Sequence, residues 1–124
     1  MTKEREFEST LKGMAEAQEF LKGESENTKL LIVFDELVSN VVRCSGAKTF
    51  LLTIEHGETL SIKLVVADDG RRFDPTEQKE PDVSLGAEER GVGGLGLLMV
   101  RRLCKSFTYR RENNHNIVEV VIES

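Results

Sequence analysis

The tightest constraint on this chain is an alternation that ends in acid. From Leu60 to Ala67 every second side chain is apolar (Leu60, Ile62, Leu64, Val66), the period of a strand with one buried face. The run stops at Asp68-Asp69-Gly70, so a carboxylate stands at a strand end where the chain turns; Asp-Gly is a common turn dipeptide. Residues 71–90 then carry no period and are broken by Pro75 and Pro81. A loop of that length in a compact domain is functional or disordered. Next, Arg90-Gly91-Val92-Gly93-Gly94-Leu95-Gly96-Leu97 runs into an apolar helical pattern. Strand end, lid and glycine-rich helix start together suggest a nucleotide site spanning residues 65–98.

The flanking chain supplies the rest of a small fold. Residues 6–10 read as an edge strand. Leu11, Met14, Ala15, Ala17, Phe20 and Leu21 recur at helical spacing, with Gly23 as the expected stop. From Thr28, the apolar positions Leu30, Leu31, Val33, Phe34, Leu37, Val38, Val41 and Val42 give a helix with a wide apolar face, suited to packing on a sheet and ended by Gly46. Thr49 to Ile54 form a strand, joined to Leu60–Ala67 by a turn at His56-Gly57-Glu58. Leu95 to Cys104 is a third helix, with Leu95, Leu98, Met99, Arg102 and Leu103 marking its period. Phe107 to Arg111 and Ile117 to Ile122 make a last hairpin across residues 112–116. The order β-α-α-β-β-α-β-β predicts an α+β fold: a two-layer sandwich with a mixed, mostly antiparallel sheet and helices on one face. With 124 residues, a single domain over residues 1–124 is expected.

Charge and cysteine usage narrow the function classes. A net charge of −5 argues against nucleic acid as a partner, since that footprint is basic. It leaves room for an anionic ligand, because backbone N–H groups can bind phosphate. No apolar signal region or membrane-length run is present. Cys44 and Cys104 form no CxxC, so buried thiols in a reducing compartment are the default and a cytoplasmic address is expected, with no membrane partner.

Three sets of residues can carry chemistry. Glu36 and Asn40 lie four apart, on one helix face. The amide oxygen suits Mg²⁺ and the carboxylate can orient or deprotonate a nucleophile; the bland alternative is a solvated polar face shared with Ser39. Asp68 can accept from an exocyclic amine, while Gly70 lets a planar ring approach the backbone. Here the carboxylate is expected to serve a ligand rather than the core. Gly91, Gly93, Gly94 and Gly96 would let backbone wrap a phosphate, with free N–H groups from a helix starting near Leu95. No Gly-Lys-Ser/Thr follows, so this is no Walker loop. A charged loop rather than a strand precedes the glycines, which argues against a dinucleotide fingerprint.

In order and spacing, Glu36-x-x-x-Asn40, Asp68-x-Gly70 and Gly93-Gly94-Leu95-Gly96-Leu97 resemble the N, G1 and G2 boxes of the GHKL ATP-binding superfamily, whose ATP-binding domain has the Bergerat fold. The resemblance is closest to the anti-sigma-factor serine-protein kinases of bacterial partner-switching modules. Asp68 to Pro75 is similar to their G1 segment, and Tyr109-Arg110-Arg111-Glu112 with Asn116 to their C-terminal hairpin. Cys44 stands where many relatives carry His or Tyr.

On the matching positions the resemblance implies Glu36 as general base toward a partner's serine and Asn40 as ligand of the Mg²⁺ that bridges ATP phosphates. It also implies Asp68 on the adenine amine with Gly70 beneath the ring, and Gly91, Gly93, Gly94, Leu95 and Gly96 around the phosphates. Residues between Asp74 and Arg90 would form a lid, with Arg90 a candidate to neutralise γ-phosphate charge or else a surface arginine. ATP or ADP and Mg²⁺ are the implied cofactors. The implied partner is an anti-sigma-factor antagonist of the STAS type, with a sigma factor and a second copy of the chain as further candidates. The alternative is a nucleotide-gated binding module that transfers nothing.

Overall fold

The computed structural model describes residues 2–57, 60–77 and 94–123. Five strands form one sheet: β1 (Thr2–Glu8), β2 (Thr49–His56), β3 (Ser61–Asp68), β4 (Ser106–Glu112) and β5 (His115–Glu123), ordered β1-β2-β3-β5-β4. The helices are α1 (Leu11–Glu24), α2 (Thr28–Asn40) and α3 (Gly94–Leu103). The expected α+β architecture is therefore present. All four strand pairings are antiparallel, so no parallel pair of the anticipated mixed sheet occurs among the described residues.

Period-two alternation builds the core. Leu52, Val66 and Val118 meet across three strands, as do Ile54, Leu64 and Val120, and all six are buried. Over this face lie Ala17 and Leu21 of α1, Val33, Phe34, Leu37 and Val38 of α2, and Val100 of α3. Each such side chain contributes roughly 1.5–3 kcal/mol when fully buried. The wide apolar face read for α2 thus packs on the sheet and against both other helices. No described helix is long and apolar enough to cross a membrane.

Several boundaries differ from expectation, each for a local reason. The edge strand spans Thr2–Glu8 rather than residues 6–10: Phe7 pairs with Phe50, their rings 5.7 Å apart. Thr10 instead caps α1, its Oγ1 accepting from the Gly13 N–H at 3.0 Å. Gly23 lies within α1, which closes where the Ser25 N–H reaches the Leu21 carbonyl. Leu60 has φ 62 and is 78% exposed, so it belongs to a turn rather than to β3. In α3 the inward residues are Leu97 and Val100 while Met99 is exposed. The run from Leu97 to Val100 is apolar on every side, which hides the helix phase from the sequence. The last turn is only Asn113-Asn114, both at positive φ, and places Asn116 inside β5.

Candidate functional site

Two segment ends converge where α2 meets the middle of the sheet. Asn27 fixes the start of α2, its Oδ1 accepting from the Leu30 N–H at 3.2 Å. Burial of Leu37 and Val38 then sets the rotation that puts Glu36 and Asn40 side by side one turn apart. Asn40 is buried; its Nδ2 donates to Glu36 Oε1 at 3.3 Å, and its Oδ1 accepts from Arg43 Nη2 at 3.1 Å. Beyond Asn40 the helix widens into a π-turn, Val41–Ser45, a device common at functional sites. Gly46, at φ 69, ends it as expected. The widened turn brings Ser45 against Gly70: the Arg71 N–H donates to the Ser45 carbonyl at 2.8 Å, and any side chain on Gly70 would overlap Ser45. Close approach of protein backbone, as well as any ligand, therefore requires this glycine.

Asp68 continues the inward phase of Ile62, Leu64 and Val66 and is buried. Its cross-strand partner is Asn116, which continues the phase of Val118, Val120 and Ile122. Asp68 Oδ1 accepts from the Gly70 N–H at 2.9 Å and from Asn116 Nδ2 at 3.1 Å. The carboxylate thus serves the fold as well as any ligand, which corrects the expectation that it serves a ligand alone. Next to it, Asp69 Oδ1 takes the Lys48 and Thr49 N–H groups at 2.7 and 3.2 Å, tying the strand end to the start of β2.

Above Asp68 opens a small cleft. Leu37, Val41, Val66 and Val118 line it, with Phe73 and Pro75 at the rim and Asp68 and Asn40 as polar groups. Apolar walls around one carboxylate fit a flat heterocycle carrying an exocyclic amine, as adenine does. The root of the following loop is anchored: Pro75–Glu77 form a 3₁₀ turn, and Arg101 Nη2 of α3 donates to the Thr76 carbonyl at 3.1 Å. Arg72 is held outside by Glu77 at 3.2 Å.

Beside the cleft, Gly96 sits in the first turn of α3 directly against the Glu36 carboxylate, so closely that a side chain there would collide with it; both border a separate open depression with Ser39 and Met99. Gly94 opens the helix and Leu95 follows in the same turn, whose N–H groups make an anion-favouring end. Arg90, Gly91 and Gly93 lie outside the described residues, as does the loop from 78 to 93.

For Mg²⁺ the fit is partial. Among the described residues no group of three or more His, Cys, Asp or Glu side chains is placed to hold a metal ion. The Asn40 oxygen is engaged by Arg43, so a cation there must displace the guanidinium. A single amide oxygen suits Mg²⁺ only as an ion carried mainly by phosphates and water.

Asn40 and Asp68 therefore share one cleft, Gly70 packs on Ser45 of its lining, and Glu36 with Gly96 borders a neighbouring depression, joined to the cleft through the Glu36–Asn40 hydrogen bond. Two contributors escaped the sequence reading of roles. Asn116 was signalled by a polar residue at a core-phase position of a strand. Arg43 was signalled by its i+3 spacing from Asn40.

Residues 4–122 match the histidine kinase-like ATPase domain family. The chain is 33% identical over 86 residues to sensor histidine kinase YbdK of Bacillus subtilis (strain 168), covering 68% of this chain and 21% of that protein. Among solved structures, Acinetobacter baumannii histidine kinase AdeS superposes with a TM-score of 0.58 at 14% identity, covering 98% of this chain and 67% of that one. The blue-light activated histidine kinase of Erythrobacter litoralis EL346 gives 0.51 at 17% identity, covering 76% of this chain and 31% of that one. The chain thus spans about a fifth of the curated relative, and the structural likenesses bear on the fold alone. An ATPase domain implies ATP or ADP as ligand, in keeping with the cleft above Asp68. By its sequence match, its antiparallel sheet under three helices and its cleft, the chain belongs to the histidine kinase-like ATPase domain family.

Proposed function

We propose that this domain transfers the γ-phosphoryl group of ATP to a serine on a partner protein, an anti-sigma-factor antagonist of the STAS type, and so acts by partner switching. The observation that carries this reading is the position of Glu36. It lies against Gly96 in the first turn of α3, a helix end suited to phosphate, and is tied through Asn40 on the same helix to the cleft above Asp68. A carboxylate there can accept the hydroxyl proton as the oxygen attacks phosphorus. Asp68 holds the base, Asn40 offers its amide oxygen to the Mg²⁺ borne by the phosphates, and Arg43 adds a cation beside them. The ion, when bound, supplies charge neutralisation at the phosphates. A sigma factor and a second copy of the chain are further partners in this reading.

A second reading, favoured by the relationship to sensor histidine kinases, makes the acceptor a histidine. The chemistry of the product separates the two. Incubation with γ-labelled ATP, Mg²⁺ and a STAS-type antagonist protein should give label that survives acid and is lost in alkali, and Glu36→Ala should abolish it while retaining ATP binding. Acid-labile label on an acceptor histidine would overturn serine specificity. ATP binding without transfer to the antagonist would leave a nucleotide-gated binding module. Transfer by Glu36→Ala at the wild-type rate would remove Glu36 as base.

A further inference from the structure

We propose that Asn116 is a positioning residue for base recognition: it turns the Asp68 carboxylate so that Oδ2 alone meets the ligand, and thereby sets selectivity for a purine bearing a 6-amino group. This rests on the reading of Asp68 as acceptor for that amine.

Asn116 is 1% exposed, and its amide makes five hydrogen bonds. Oδ1 accepts from the Phe73 N–H at 3.1 Å, the Tyr109 hydroxyl at 2.6 Å and Arg111 Nη1 at 2.9 Å. Nδ2 donates to Asp68 Oδ1 at 3.1 Å and to the Arg71 carbonyl at 2.7 Å. The backbone N–H and the guanidinium can only donate, and the carbonyl can only accept, so the amide has one possible orientation. Arg111 completes the clamp by donating to the Gly70 carbonyl at 3.0 Å.

The turn and this network supply both side-chain hydrogen bonds that Asp68 makes among the described residues. With Gly70 and Asn116 both on Oδ1, Oδ2 accepts no hydrogen bond among the described residues, and Asp68 lines the cleft. An acceptor fixed in this way favours a ligand with a donor at that point and leaves a buried charge unpaired for one without. Neither an acidic nor a hydroxyl side chain meets the same demands. A carboxylate at 116 would face Asp68 Oδ1 and the Arg71 carbonyl with no proton between them, and a hydroxyl is too short to bridge both strands. The same amide also fixes Arg71 and Phe73, the first residues after the strand-end turn, so the base site and the root of the loop share one anchor.

The test compares ADP with purine riboside diphosphate, which lacks only the 6-amino group, by calorimetry on the full chain. The wild type should favour ADP by about 10- to 100-fold, the range for a hydrogen bond to a charged group. In Asn116→Asp, nearly isosteric and still able to take the three donors, that preference should fall to about threefold or less through loss of ADP affinity. The analogue's affinity should hold. A wild-type preference in the folded variant, or equal weakening toward both ligands, would overturn the proposal. Asn116→Ser gives a second, uncharged version of the comparison. If neither variant folds, the wild type decides: the Asn116 side-chain amide protons should be protected from solvent exchange and shift on binding ADP more than on binding the analogue. Fast exchange, or equal shifts, would overturn it. Wild-type preference in Asp68→Asn would mean that the adenine reading has failed. Lost preference there beside intact preference in Asn116→Asp would sink only the role of Asn116.

Discussion

The two oxygens of Asp68 answer different demands, and substitutions can separate them. In Asp68→Asn the amide oxygen can keep both Gly70 and Asn116, leaving an NH₂ group turned to the ligand. Stability should then change little, while ATP affinity drops about 10- to 100-fold because a donor faces the adenine amine. Asp68→Ala should in addition lose about 1–3 kcal/mol of stability, because Gly70 and Asn116 are left with unpaired buried donors. Urea titration beside calorimetry resolves the two effects; equal ATP affinity in Asp68→Asn and wild type would end the assignment. At this scale the sequence was informative about residue type and silent about load. Asp-x-Gly marked the place, but the contacts that make Gly70 necessary come from Ser45, distant in sequence and delivered by a π-turn that no local pattern announced.

Helix α2 is the element most fully legible in advance, because its apolar stripe is broad and its ends carry Asn27 and Gly46. Helix α3 was legible as a helix but not in its phase, because its uniform apolar run concealed which side faces inward; packing on α2, with Gly96 against Glu36, decides it. The ladder from Glu36 through Asn40 to Arg43 gives α2 a further property. Opposite charges are held on one face by a single amide. Asn40→Ala should make nucleotide affinity nearly independent of Mg²⁺, whereas the wild type should bind ATP about tenfold or more tightly with the ion present. Titrations with Mg²⁺ and with EDTA check this; an unchanged Mg²⁺ dependence in the variant would remove Asn40 as ligand. Cys44 and Cys104 are free and half-buried rather than buried as expected, and partial burial pushes the Cys104 thiol, just past α3, up to about 11.

For the molecule as a whole, strand existence followed from alternation, but strand order did not. Hairpins β2–β3 and β4–β5 are local, while the insertion of β5 between β3 and β4 depends on matching Val66 to Val118 and Asp68 to Asn116 across about fifty intervening residues. No periodicity encodes that match. Stability of the assembled sheet should depend on pH through Asp69. Desolvation acts to raise its pKa, but hydrogen bonds from the Lys48 and Thr49 backbone outweigh this and hold it below the ordinary 3.8. A depressed folded pKa adds stability above the unfolded value, and that contribution is lost as pH falls through the folded one. The melting temperature of the wild type should therefore exceed that of Asp69→Asn at neutral pH, with the gap closing below pH 3.8. A gap constant from neutral to acid pH would contradict this origin.

The pairing of β3 with β5 also has a consequence for the order in which the protein becomes competent during synthesis. A nascent chain that has emerged as far as α3 already carries Glu36, Asn40, Asp68 and Gly96, yet its base pocket lacks Val118 from the wall and Asn116 from beneath the carboxylate. Nucleotide capture must wait for the last strand to slot into the sheet. Bound ATP then favours the completed state by mass action, so the ligand acts as a late check on folding.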